Sequence, residues 1–240
     1  MAEQGYTGII FPEEYGGVGL GKVELALLME EAGRALLPGP FFSTVAFAGA
    51  VIDAVASPEH KKKYLASICA GDTRSTVAFL EADASWNPVD IHIAAANGAL
   101  SGTKLFVPDA AVADFIVVIA RNGIFAVASK ASGMKITPML GMDLTRKLYR
   151  IEFQNTPVEK IGDVSALAKG FDVATTALVC ELVGGMQRTL DITVEYAKMR
   201  KQFGKPIGMF QAVQHQLRPK ARSTSRIRSS SSSEFASSTR

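Results

Sequence analysis

The densest group of chemically capable side chains in this chain follows a long helical run, where Arg200, Gln202, Phe203 and Gln211 stand within a dozen positions of one another. A guanidinium is a rigid fork that grips two oxygens of a phosphate or carboxylate at once, an amide both donates and accepts, and an aromatic ring gives a flat apolar wall. Spacing alone favours a plainer account, in which Arg200 caps the negative end of the helix for about 0.3–1 kcal/mol and Phe203 is ordinary core. Elsewhere the chemistry is sparse. Cys69 and Cys180 are too far apart and too few for a disulfide framework or a zinc site. His92, in the alternating Ile91-His92-Ile93, is expected to face solvent and has no second ligand beside it.

The elements that must carry these residues are readable from periodicity. Apolar Leu25, Leu28, Met29, Ala32 and Leu36 fall at helical spacing, which predicts an amphipathic helix over 22–35 that stops at Pro38-Gly39-Pro40. A second helical run covers about 43–56, and Ser57-Pro58-Glu59 reads as cap, first turn and acidic start of a third, closed by Gly71. From Thr73 the pattern turns extended, with short apolar runs at 75–80, 91–96, 115–120, 124–129, 134–137 and 147–153, and with Asn97-Gly98 and Asn122-Gly123 as turns between them. From Lys169 to Arg200 nothing breaks a helix of about 30 residues, roughly 45 Å long. Its Phe171, Ala174, Leu178, Leu182, Met186, Leu190, Thr193 and Ala197 fall along one side, which a truncated bundle is expected to leave without neighbours, and its small residues Ala174, Ala177, Gly184 and Gly185 allow another helix close approach. Glu181 reads as a polar residue paired within the bundle.

The fold class expected is α+β and multidomain: an N-terminal helical remnant at 1–72, a middle antiparallel, barrel-like β-domain at 73–161, and a truncated helical bundle at 162–217. The remaining 218–240, with nine serines, six bases and one acid, is too polar to bury its share of surface and reads as a disordered tail from a frameshift or cloning artefact. The whole chain carries 26 bases and 23 acids, so it is nearly neutral and gives no reason to expect a nucleic-acid partner. Its start has no cationic, then apolar, leader, and no stretch offers about 18 uninterrupted apolar residues, so a cytoplasmic protein without a membrane span is expected.

The phrase EYAKMRKQFGKPIG, followed by FQAVQH, resembles the signature of the acyl-CoA dehydrogenase family. YTGIIFPEEYGGVGLG, GTKLFVPDAAVADFIVVIAR and ELVGGMQRTLDITVEYAKMRKQFG fall in that family's order, so the likeness covers about 1–217. The resemblance implies FAD as cofactor, an acyl-CoA substrate dehydrogenated between its α and β carbons, a place in fatty-acid oxidation, and an oligomer. It also implies that Arg200, Phe203 and Gln211, with Gln202 beside them, contact the diphosphate and adenine side of FAD held by a neighbouring subunit. Phe106 is implied as a stacking ring against the flavin, and Phe171-Asp172 as an approach to the CoA moiety.

The sequence departs from the family pattern in three places. The family's base is a glutamate either late in the chain or twelve residues before the position of Met186; here the latter is Ala174, and no catalytic residue is assigned. Where a small-residue turn normally lets backbone amides reach the flavin, this chain has Trp86. Where a Trp-Ile-Thr phrase lies against the ring, it reads Phe106-Val107-Pro108, and proline has no N–H to donate. These changes resemble the partner-type subunits of heteromeric members of the family, and the chain alone is expected to be inactive.

Overall fold

The computed structural model describes residues 1–217. The expectation of a disordered tail at 218–240 lies outside the described residues. In chain order the helices are α1 (Lys22–Ala35), a wide π-type turn of helix over Phe42–Gly49, α2 (Ala50–Val55), α3 (Pro58–Ala70) and α4 (Leu167–Met199). The strands are β1 (Ser75–Ala78), β2 (Ala95–Ala96), β3 (Ala99–Pro108), β4 (Phe115–Ala120), β5 (Gly123–Ala128), β6 (Met134–Met139), β7 (Leu148–Pro157), β8 (Glu159–Gly162), β9 (Lys201–Gln202) and β10 (Lys205–Pro206). They belong to two compact units. Residues 1–21 and 38–175 make the first, and residues 22–37 with 176–217 make the second. Among the described residues no helix is long and apolar enough to cross a membrane.

The first unit holds two four-stranded sheets, in the orders β1-β4-β5-β8 and β2-β3-β7-β6. They are open sheets and not a closed barrel. The expectation of purely antiparallel pairing fails at one place: β1 runs parallel to β4. A parallel neighbour needs a long connection, and residues 79–114, which include β2 and β3, supply it. One apolar core takes side chains from both sheets, among them Leu100, Val107, Ile116, Val118, Phe125, Val127, Tyr149, Ile151 and Phe153. At about 1.5–3 kcal/mol for each large apolar side chain removed from water, this cluster is the main favourable term of the sheet layer. Neither β3 nor β8 is apparent from apolar patterning, because β3 carries Gly102 and Lys104 and is interrupted by register shifts. Between Lys104 and Val107, β3 advances three residues while β7 advances two, from Ile151 to Tyr149. That is a β-bulge, and it changes which residues face inward.

The helices on this unit follow their sequence signals. Ser57 Oγ accepts from the His60 amide at 3.3 Å, Pro58 fills the first turn, and Gly71 closes α3 with φ 78°. Phe11 is fully buried against Gly49, where a Cβ would stand 2.4 Å from its ring. Glu159, at the start of β8, ties that strand to α3: its carboxylate accepts from Lys63 Nζ and Tyr64 Oη at 2.6 Å each and lies 3.3 Å from His60 Nε2.

In the second unit α1 crosses α4 on bare backbone. A Cβ on Gly33 would stand 1.8 Å from the Glu181 carbonyl oxygen, and one on Gly184 would stand 1.8 Å from that of Glu30. Arg34 closes the crossing with an ion pair to Asp191 at 2.9 Å. The close approach expected of the small residues in α4 is therefore made through Gly184. The buried side of α4 is not the one that carries Leu178, Leu182 and Met186. Ala177, Cys180, Val183 and Glu181 are buried, whereas Leu178, Leu182 and Met186 are exposed among the described residues. The helix is apolar on two sides, and small size rather than hydrophobicity selects the side that α1 meets.

Two predictions follow from this packing. Gly33→Ala and Gly184→Ala should each cost about 1–3 kcal/mol in chemical denaturation, because neither backbone can yield to a methyl group. Gly185→Ala, whose nearest new contact would be an ordinary 3.6 Å, should be neutral or gain up to about 1 kcal/mol of helix propensity. Burial alone would raise the Glu159 carboxyl, but Lys63 and Tyr64 hold it below its usual value of 4.5. A depressed folded value means stability that is present above the usual carboxylate range and is lost as pH falls through it. Denaturation midpoints between pH 6 and 3.5 should therefore drop less steeply for Glu159→Gln than for the parent chain.

Candidate functional site

The sequence-derived residues fall into two groups, one in each unit. In the second unit, α4 ends at Met199 and the chain folds at once into the two-residue hairpin of β9 and β10, with Lys205 opposite Gln202 and Pro206 opposite Lys201. The hairpin is anchored from behind. The Arg200 amide donates to the Tyr196 carbonyl, and the Ile207 amide donates to the Arg200 carbonyl, both at 2.8 Å. The turn residues Phe203 and Gly204 both have positive φ, 54° and 79°, as a primed hairpin turn requires. Asparagine or glycine is the usual first residue of such a turn. Placing phenylalanine there costs on the order of 1–2 kcal/mol.

That cost leaves the Phe203 ring 92% exposed at the tip. Phe210 approaches it edge-on at 6.3 Å, and Lys205 Nζ lies over the Phe210 ring at 4.6 Å. Arg200, Lys201, Gln202 and Gln211 are exposed around this aromatic pair, and from Tyr196 to Leu217 there are cations but no acid. Gln202 Nε2 donates to the Lys201 carbonyl at 2.7 Å, which leaves its side-chain oxygen as acceptor. Arg200, Gln202 and Phe203 thus share one small hairpin, and Gln211 opens the helical stretch that follows it. The arrangement suits a planar ring bearing anionic oxygens. The plainer account of Phe203 as core is overturned by its exposure.

In the first unit, Phe106 occupies the β3 bulge with φ 54° and is 42% exposed. It is a second phenylalanine on a left-handed backbone. Pro108, two residues on, offers no N–H, and the Leu105 amide is spent on the Leu80 carbonyl at 2.9 Å. Phe171, at the start of α4, does not stand out toward solvent. Its ring packs edge-on against Phe79 at 4.8 Å and Phe47 at 5.6 Å. Asp172 beside it is exposed. Trp86, 70% exposed, also lies against Phe79, at 5.9 Å and tilted, so the residue expected to crowd this region joins its row of rings. His92 faces solvent as expected, and among the described residues no cluster suits a metal.

Sequence reasoning gave no role to the pair at the base of this region. Lys104 is fully buried; its Nζ donates to the Phe79 carbonyl and to Glu81 Oε1, both at 2.8 Å. Glu81 accepts in addition from the amides of His92 at 3.0 Å and Ile93 at 3.2 Å. Burial pushes the Lys104 ammonium down, against the pull of Glu81. Burial would push the Glu81 carboxyl up, yet Lys104 and the two amides hold it below its ordinary value. The legible signal was a lysine in step with inward-facing Leu100 and Gly102, since a lysine there has to find a carboxylate.

Matches to known proteins agree with this layout. Residues 1–72 match the acyl-CoA dehydrogenase N-terminal domain, and residues 164–229 match the acyl-CoA dehydrogenase C-terminal domain, which runs into the segment expected to be an unrelated tail. The acyl-CoA dehydrogenase IpdE2 of Mycobacterium tuberculosis is 33% identical over 90% of this chain, which spans 58% of that relative's length. Among solved structures, the Tcur3481-Tcur3483 steroid ACAD G363A variant is 33% identical with a TM-score of 0.78, over 90% of this chain and 61% of that one. The ChsE4-ChsE5 complex from Mycobacterium tuberculosis reaches 0.86 at 25% identity, over 98% and 66%. Two domain matches in the right order, on either side of a sheet layer that superposes on solved members, leave one assignment: the chain belongs to the acyl-CoA dehydrogenase family.

Proposed function

We propose that this chain takes part in the FAD-dependent α,β-dehydrogenation of an acyl-CoA thioester together with another subunit of the same family, to which it lends the Arg200–Gln211 ledge. The observation that carries this reading is the exposed Phe203 ring, held out on a strained turn in a stretch, 196–217, that carries Arg200, Lys201 and Lys205 and no acid. Strain kept at an exposed position points to use. The donor set fits the pyrophosphate and adenine end of FAD: a guanidinium fork for two phosphate oxygens, amides at Gln202 and Gln211, and a flat ring. When bound, FAD supplies the acceptor for the hydride leaving the acyl group.

The first unit fits the flavin ring less well. Phe106 offers a stacking surface, but Pro108 has no N–H and the Leu105 amide is already engaged. Ala174, at the alternative position for the base on α4, is a buried methyl group that takes no proton. Phe171 and Asp172 are proposed to meet the CoA moiety, Phe171 as the edge of the row of rings and Asp172 as its polar rim. Two solved relatives named for two components, Tcur3481-Tcur3483 and ChsE4-ChsE5, support assembly with an unlike subunit.

Calorimetric titration tests the reading. ADP should bind the lone chain, and Arg200→Ala should weaken it about tenfold, near 1.4 kcal/mol, as expected for one charge-assisted contact. The lone chain should purify with little flavin. Stoichiometric yellow cofactor on the lone chain, or ADP binding indifferent to Arg200, would rule the proposal out.

A further inference from the structure

The buried pair Glu81–Lys104 bears on Phe106 through geometry that the ledge does not share. Three consecutive residues just after β1 are gripped by two consecutive residues at the start of the β3 bulge. Lys104 Nζ holds the Phe79 carbonyl and Glu81 Oε1 at 2.8 Å each, and the Leu105 amide holds the Leu80 carbonyl at 2.9 Å. Phe106 is the next residue, at φ 54°, and Val107 returns to the core opposite Tyr149. The bulge therefore begins at a lysine whose ammonium is pinned from inside. A left-handed phenylalanine persists only where its surroundings over-determine the backbone, and this bracket supplies that determination.

Glu81 also closes the loop that follows it. Its two oxygens take the amides of His92 and Ile93, so residues 82–91 leave and return at one carboxylate. Trp86, the chain's single tryptophan, lies in that loop against Phe79, whose carbonyl Lys104 holds. Phe106 and Trp86 are thus two exposed aromatics referred to the same buried charge pair. An apolar pair of equal volume would fill the space without directing either segment, since packing lacks the angular demand of four converging hydrogen bonds.

We infer that Glu81 and Lys104 are positioning residues for Phe106: their buried ion pair fixes the β3 bulge so that the Phe106 ring stands ready to stack on a flat heteroaromatic ring. The inference rests on the reading of Phe106 as a flavin-ring contact. Neither charge touches the ligand, and their effect reaches it through the backbone of residues 104–106.

The test uses riboflavin, which has the ring but no phosphate, with binding read by saturation-transfer NMR on the full chain. Phe106→Ala should weaken riboflavin about tenfold, and the neutral, volume-matched E81Q/K104M variant should do the same while keeping its circular dichroism and its affinity for ADP. Adding F106A to that variant should cost nothing further, which is the mark of two changes acting on one contact. If E81Q/K104M does not fold, E81Q alone goes through the same cycle. Wild-type riboflavin affinity in the folded pair variant, or losses that add in full, overturns the positioning role and leaves Phe106 as a contact. Indifference of riboflavin to F106A instead overturns the reading of Phe106, and the inference falls with it.

Discussion

A lysine ammonium removed from water has to be met by an opposite charge and by hydrogen-bond acceptors, or the chain will not bury it. Lys104 sits in the first unit under that requirement, and much around it follows. Its demand is met by one carboxylate and one carbonyl, both from the three residues that follow β1, so the exit of β1 is tied to β3 although the two strands belong to different sheets. The carboxylate in turn has acceptor capacity to spare, which it uses on the amides that end the loop carrying Trp86. A charge that would be costly alone thereby fixes two backbone segments at once. The surface they present includes the exposed rings of Trp86 and Phe106.

The second unit solves its own problem by subtraction. Where α1 and α4 meet, the contact is made by the absence of side chains at Gly33 and Gly184, each against the other helix's carbonyl. Such a crossing fixes the register of the two helices, because a shift of one residue would bring a side chain onto the opposing backbone. Register matters here because α4 continues to Met199 and delivers Arg200 and the hairpin at its end. The glycines thus belong to the framework that carries the ledge.

What was legible in the sequence divides along the same lines. The helices were readable because α1, α3 and α4 announce themselves by apolar period and by capping at Ser57 and Gly71, which are local interactions. Strands β4 and β5 were readable from unbroken apolar runs bounded by Asn122-Gly123. β3 was not, since its inward positions include Gly102 and Lys104 and its bulge breaks the alternation that betrays a strand. The parallel placement of β1 beside β4 and the partnership of Lys104 with Glu81 are non-local, and no spacing rule reaches across 23 residues to find a buried ion pair. On α4 the apolar run through Leu178, Leu182 and Met186 did not tell which side α1 would meet, because the observed crossing is decided by size at Gly33 and Gly184. Of the candidate residues, Arg200, Gln202 and Phe203 lie on or beside one hairpin, while Phe171 was drawn into a row of rings with Phe47 and Phe79.

The two exposed phenylalanines share a device worth following to its consequence. A ring on an ordinary extended backbone can turn inward to neighbouring apolar surface and hide. At Phe203 and Phe106 the left-handed backbone, 54° in φ at both, removes that choice, because the direction of the Cα–Cβ bond is set by the turn or bulge. The hairpin is only two residue pairs long and would be marginal by itself; the end of α4, the Ile207 amide and the Phe210 ring hold it. The bulge is held by the β1 bracket. In both places the ordering cost is met by the fold before any ligand arrives, so a flat ring meeting either phenylalanine gains contact without first having to organise it. Exposure of an aromatic that the backbone itself directs outward is therefore better evidence of a binding surface than the same exposure on a freely turning side chain.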